Sequence, residues 1–206
     1  MKKNTSDNLH IFETATALYQ AAAEFIIQLS NDSVAARGRF SISLSGGNTP
    51  EALYSLLSGH PYCEQIPWSK VYVFWGDERC VPLNDSRNNA GRARSMLLDK
   101  IPIPSSNIHL IPTDMPPEKA AAVYEKELNS FFGEDPWCFD LVLLGLGENG
   151  HTASLFPNTD VIEEQAEGVR SLYLKEEKIF RITMTAPLIN RARNLLFLVT
   201  GSKKNK

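Results

Sequence analysis

The run Phe139-Asp140-Leu141-Val142-Leu143-Leu144-Gly145-Leu146-Gly147-Glu148-Asn149-Gly150-His151 constrains the fold more than any other segment. Leu141 to Leu144 are continuously apolar and never alternate with polar residues, the pattern of a strand buried on both faces. Such a strand belongs to a parallel sheet with helices on either side. The glycines that follow let the backbone adopt conformations closed to other residues and approach a ligand closely. An acid, an amide and a histidine then come in quick succession. The chain is expected to re-enter a helix through Thr152 or Ser154. That would set the His151 imidazole at the C-terminal edge of the sheet, where open α/β sheets bind ligands. A plain strand-to-helix joint with a capping histidine has the same outline, so context decides.

Two other segments supply that context. Phe40 to Leu44 reads as an alternating strand that runs into Ser45-Gly46-Gly47-Asn48, then Thr49 and Pro50. Thr49 is suited to the N-cap and Pro50 to the first position of a helix over 51–57, closed by Gly59. Backbone N–H groups of Gly46, Gly47 and Asn48, with the hydroxyls of Ser45 and Thr49, would then converge on an anion such as phosphate. The segment lacks the Lys-Ser/Thr ending of a Walker loop and the three glycines of a dinucleotide fingerprint. An ordinary tight turn is the competing reading. Val71 to Trp75 is another buried strand, followed by Gly76-Asp77-Glu78-Arg79. Consecutive charges after such a strand are costly unless they meet water or a ligand. Arg79 can offer a bidentate fork to phosphate, and Asp77 or Glu78 can orient a histidine or bind a sugar hydroxyl. A solvated charged turn competes with this reading.

Taken in order, Ser45-Gly46-Gly47-Asn48-Thr49-Pro50, Trp75-Gly76-Asp77-Glu78-Arg79 with Asn89, and Gly145 to Pro157 resemble the glucosamine-6-phosphate isomerase/6-phosphogluconolactonase family. The resemblance runs from His10 to Gly201. The ending Gly150-His151-Thr152-Ala153-Ser154-Leu155-Phe156-Pro157 is similar to the lactonases, and the glutamate typical of the deaminase ending is absent. The resemblance implies a three-layer α/β fold, a largely parallel sheet with helices on both faces. It also implies hydrolysis of 6-phospho-D-glucono-1,5-lactone to 6-phospho-D-gluconate, with His151 as general base and Glu148 or Asp77 as its carboxylate support. Ser45, Gly46, Gly47, Asn48, Thr49, Arg79, Asn89, Gly147, Asn149 and Arg181 are then expected around the substrate and its phosphate. For Arg181, an exposed strand arginine is the competing reading. The scheme calls for no cofactor and no metal; His10, His60 and His109 lie in unrelated settings.

Two departures stand out. Many family members carry aspartate at the position of Asn149, so here an amide could orient the imidazole only as a neutral partner. After Gly201 the chain ends in Ser202-Lys203-Lys204-Asn205-Lys206, where relatives normally continue. The expected organisation is one lactonase-like domain over residues 9–201, short at its C-terminus, and a basic tail over 202–206.

Composition narrows the partners. The net charge is −3 and the lysines are dispersed, which disfavours nucleic acid and anionic membrane. Cys63, Cys80 and Cys138 are odd in number and have no paired spacing, so reduced thiols and a cytoplasmic setting are expected. Lys2 and Lys3 lead into no apolar core, which disfavours a signal peptide, and no apolar run reaches membrane-spanning length. Further helices are expected at the apolar face from Ala15 to Leu29, over 88–98, and from Pro116-Pro117 through Phe132, stopping at Gly133. The small-molecule partner that the resemblance implies is a sugar-phosphate lactone. Two rivals remain. An amino-sugar-phosphate deaminase is disfavoured by the Ser154-Leu155-Phe156 ending, and a non-catalytic sugar-phosphate sensor by the short segment before the first helix.

Overall fold

The computed structural model describes residues 8–201, so the basic tail and the Lys2-Lys3 segment lie outside the described residues. In chain order the first elements are α1 (Ala15–Arg37), β1 (Phe40–Leu44), α2 (Asn48–Leu57), β2 (Val71–Trp75) and β3 (Asp77–Arg79). There follow α3 (Asn89–Met96), α4 (Pro117–Phe132), β4 (Leu141–Leu144), β5 (Val169–Leu174), β6 (Ile179–Met184), α5 (Ala186–Asn190) and β7 (Leu195–Phe197).

Four strands form a parallel sheet in the order β2-β1-β4-β7. Every residue of β1 and β4 is buried, which requires cover on both faces. On one face Phe40, Ile42 and Leu44 line an apolar gap with Ile26 of α1 and Tyr54 and Leu57 of α2. On the other, Phe74 packs on Phe131 of α4 at 4.9 Å and on Phe139 at 5.2 Å between ring centroids. Each such side chain contributes on the order of 1.5–3 kcal/mol when fully buried. Thr14 caps α1 by accepting the Ala17 N–H at 3.1 Å, and Gly38 ends it in the left-handed region at φ 73°.

The mainly parallel sheet and its helices agree with the sequence reading. A second, antiparallel sheet in the order β3-β6-β5 does not follow from it. Gly76 is the crossing point: its N–H donates to Leu44 O at 3.2 Å in the first sheet, and its carbonyl accepts from Met184 at 2.8 Å in the second. The charged segment after β2 is therefore a strand with a partner, not a solvated turn.

Three local expectations change. Gly47, at φ 108°, is the N-cap of α2 in place of Thr49, so Thr49 lies inside the helix. Helix α3 spans Asn89–Met96, because Asn88 caps it by accepting the Gly91 N–H at 2.8 Å. No helix begins at Thr152 or Ser154. Ala153 adopts φ 48° and the Ser154 hydroxyl is tied to Asp77, so the segment runs in turns until a 3-10 turn at Asp160–Glu163. Among the described residues no helix is long and apolar enough to cross a membrane.

Candidate active site

A cavity of about 240 Å³ opens beyond the C-terminal ends of β1, β2 and β4. It is lined by the backbone and side chains of Ser45 to Thr49, by Gly147 and His151, and by Asp77, Arg79, Asn89 and Arg181. The structure thus brings together all the expected site residues except Glu148 and Asn149, which do not line the cavity.

The imidazole is held on several sides. His151 Nδ1 lies 2.5 Å from Oδ1 of Asn149. An amide oxygen can only accept, so Nδ1 carries the proton and the lone pair of the neutral ring is on Nε2. Phe156 stacks on the ring at 4.0 Å between centroids and 23° between planes. Gly147 supports the ring from beneath: a Cβ there would stand 2.1 Å from Nδ1. The Gly147 N–H donates to His151 O at 2.7 Å and so is committed to the loop, not to a developing oxyanion. The sequence reading places Asn149 among the substrate contacts, allows it to orient the imidazole only as a neutral partner, and offers Glu148 or Asp77 as the carboxylate support. In the structure Asn149 meets the imidazole, Glu148 is exposed, and the Asp77 carboxylate accepts from the Ser154 hydroxyl at 2.6 Å.

Two arginines share the cavity with the imidazole. Arg79 and Arg181 are direct cross-strand partners in the β3–β6 ladder. Like charges so placed repel, and an anion between them removes the conflict. Each has a buried Nε with no hydrogen-bond partner among the described residues. Other nitrogens of each guanidinium are held: Arg79 Nη1 donates to Asn89 Oδ1 at 2.6 Å, and Arg181 Nη2 to Glu177 at 2.5 Å. Arg181 Nη1 is also 3.6 Å from Asp77, and its Cζ is 5.4 Å from the Phe156 ring centroid. At 4% exposure, Arg181 is a buried cation and not an exposed strand residue.

The glycine cradle completes the pocket. A Cβ on Gly46 would fall 1.9 Å from Asn89 Oδ1, so glycine is what lets α3 approach the cradle. The Thr49 hydroxyl pairs with that of Thr200 at 2.7 Å, tying the cradle to the chain beyond β7. Tyr54 braces the cradle from α2, accepting the Ser45 N–H at 3.0 Å and donating to Ser45 O at 2.7 Å. Burial raises its phenol far above the usual range, so it stays a donor. Sequence reasoning missed Tyr54, Phe156 and Thr200 as site supports. Phe156 lay within the motif that was read, whereas Tyr54 and Thr200 carry no local signal.

The fold and site are those of an α/β protein whose mainly parallel sheet gathers two arginines and an amide-held imidazole into one cavity at its C-terminal edge. The profile described as glucosamine-6-phosphate isomerases/6-phosphogluconolactonase matches residues 13–206, and the chain belongs to that family. It is 46% identical to the 6-phosphogluconolactonase of Synechocystis sp. over 83% of this chain and 70% of that protein. It is 38% identical to the Nostoc sp. 6-phosphogluconolactonase over 95% and 81% of the two chains. The crystal structure of the Thermotoga maritima 6-phosphogluconolactonase superposes with a TM-score of 0.83 at 29% identity, covering 95% of this chain and 85% of that one.

Proposed function

We propose that the chain hydrolyses 6-phospho-D-glucono-1,5-lactone to 6-phospho-D-gluconate, the second step of the oxidative pentose phosphate pathway. The observation that carries this reading is the pairing of Arg79 with Arg181, each with an unsatisfied buried Nε, across one cavity from a histidine whose Nδ1 proton is fixed by Asn149. The two guanidiniums and the N-terminus of α2 hold the phosphate, which orients the lactone carbonyl over the imidazole. His151 Nε2 takes a proton from the attacking water, and the resulting imidazolium returns it to the ring oxygen as the C–O bond breaks. A base so placed contributes on the order of 10²- to 10⁴-fold. The water's oxygen ends in the carboxylate, and the ring oxygen becomes the C5 hydroxyl.

The preference for a lactone over an amino-sugar phosphate rests on the Ser154-Leu155-Phe156 ending, in which Ser154 is bound to Asp77 and Phe156 to the imidazole. The net charge of −3 supports a small anion over nucleic acid as partner, and the three free cysteines suit a cytoplasmic setting. His151→Ala should abolish the enzymic opening of 6-phosphogluconolactone while leaving phosphate binding intact. Ammonia release from glucosamine 6-phosphate by the wild type would favour the deaminase instead.

A further inference from the structure

Glu78 lies outside the cavity and is 1% exposed, yet its carboxylate reaches both of the elements that carry Arg79 and Asn89. Oε1 accepts the backbone N–H groups of Arg79 and Asn89, each at 2.8 Å, and Oε2 accepts that of Ala90 at 2.8 Å. The latter two belong to the first turn of α3, which has no acidic residue of its own. A negative charge is favourable there, because unpaired N–H groups and the helix dipole meet at that end. Glu78 thus joins β3 to the start of α3.

That junction sets the geometry of the anion pocket. Asn89 donates from Nδ2 to the Asp77 carbonyl at 3.0 Å and accepts from Arg79 Nη1 at 2.6 Å. It also packs so close to the cradle that Gly46 admits no Cβ. If the start of α3 moves, Asn89 moves, and with it the guanidinium of Arg79 and the free edge of the cradle.

We infer that Glu78 is a positioning residue for the substrate's phosphate: by clamping the start of α3 to β3 it aims Arg79 and Asn89 into the anion pocket without touching the substrate. This rests on the phosphate-binding reading of that pocket. Glu78→Gln keeps the shape but offers one acceptor oxygen in place of two and adds an N–H₂ facing backbone donors. At least one bond to α3 is lost.

The test compares wild type, Glu78→Gln and Asp140→Asn, using inorganic phosphate and 6-phosphogluconate as calorimetric probes beside the steady-state kinetics of lactone opening. Asp140 is an equally buried carboxylate, 3% exposed, that serves Arg37 and Ser41 away from the cavity. Glu78→Gln should weaken both probes and raise KM by about tenfold or more, with kcat at saturation within about threefold of wild type, while Asp140→Asn lowers Tm and leaves probe affinity unchanged. Equal loss of affinity in both variants, or a Glu78→Gln effect confined to Tm or kcat, overturns the inference. Should Glu78→Gln not fold, Glu78→Asp, which keeps the charge one methylene short, is read by the same split, and an unchanged KM overturns it. A wild type that fails to open the lactone contradicts the proposed function itself, and is thereby told apart from a failure of the clamp.

Discussion

Nδ1 of His151 is held by an amide, Oδ1 of Asn149 at 2.5 Å. A neutral partner fixes the tautomer but adds no charge to steady the imidazolium. Asn149→Asp places a negative charge at that distance and raises the basicity of the ring. The acid limb of the kcat/KM profile should move up by roughly one pH unit. An unmoved limb would mean that His151 is not the titrating base.

Gly147→Ala tests the support beneath the ring. The added methyl would stand 2.1 Å from Nδ1, so the imidazole must move. Displacements on the order of 1 Å can cost about 10²-fold in rate, and kcat should fall by that order while inorganic phosphate still binds. Calorimetry with phosphate beside steady-state kinetics separates the two effects. A joint loss would place Gly147 in the anion pocket.

Arg79→Ala removes a charge-assisted anchor that is worth on the order of 1.5–3 kcal/mol. KM for the phosphorylated lactone should rise by about 10- to 100-fold, with a smaller change in kcat. Activity on the phosphate-free lactone should be nearly unaltered. A variant that lost both activities equally would show that the guanidinium acts at the carbonyl.

Glu78 also links stability to pH. Burial pushes its carboxyl up from the ordinary 4.5 to about 7, against the pull of the Asn89, Ala90 and Arg79 N–H groups, and Asp77 adds to the rise. Between these values the folded chain binds the proton and the unfolded chain does not. The contribution of this group to stability therefore increases as pH falls through 7, and the burial cost is complete above it. That cost is on the order of 3 kcal/mol. Thermal unfolding of wild type and Glu78→Gln at pH 8 and pH 5.5 should show the wild type gaining on the variant at the lower pH; a constant difference would contradict the shift.

The parallel core was legible because Leu141 to Leu144 and Val71 to Trp75 are apolar runs that stop at glycine, a local signal. The second sheet was not, since Asp77-Glu78-Arg79 pairs with residues more than a hundred positions later and reads locally as a charged turn. The cradle could be placed because glycines and hydroxyls cluster in sequence, but its start was misjudged, the φ of Gly47 being a tertiary choice. Likewise Arg181 shows its role only when β6 sets it opposite Arg79. The partner of the base lay two residues from it in the chain. The sequence admits it only as a neutral partner and leaves the carboxylates of Glu148 and Asp77 as alternatives, a choice that only the folded loop resolves.

In the proposed reaction an anchored phosphate and an oriented base act on one molecule. The most direct measurement is the initial rate at which the purified chain opens freshly generated 6-phosphogluconolactone, corrected for spontaneous hydrolysis, beside the same measurement on phosphate-free gluconolactone. Strong acceleration is expected for the phosphorylated lactone and little for the other. Equal rates for both, or no acceleration by a folded sample, would contradict it.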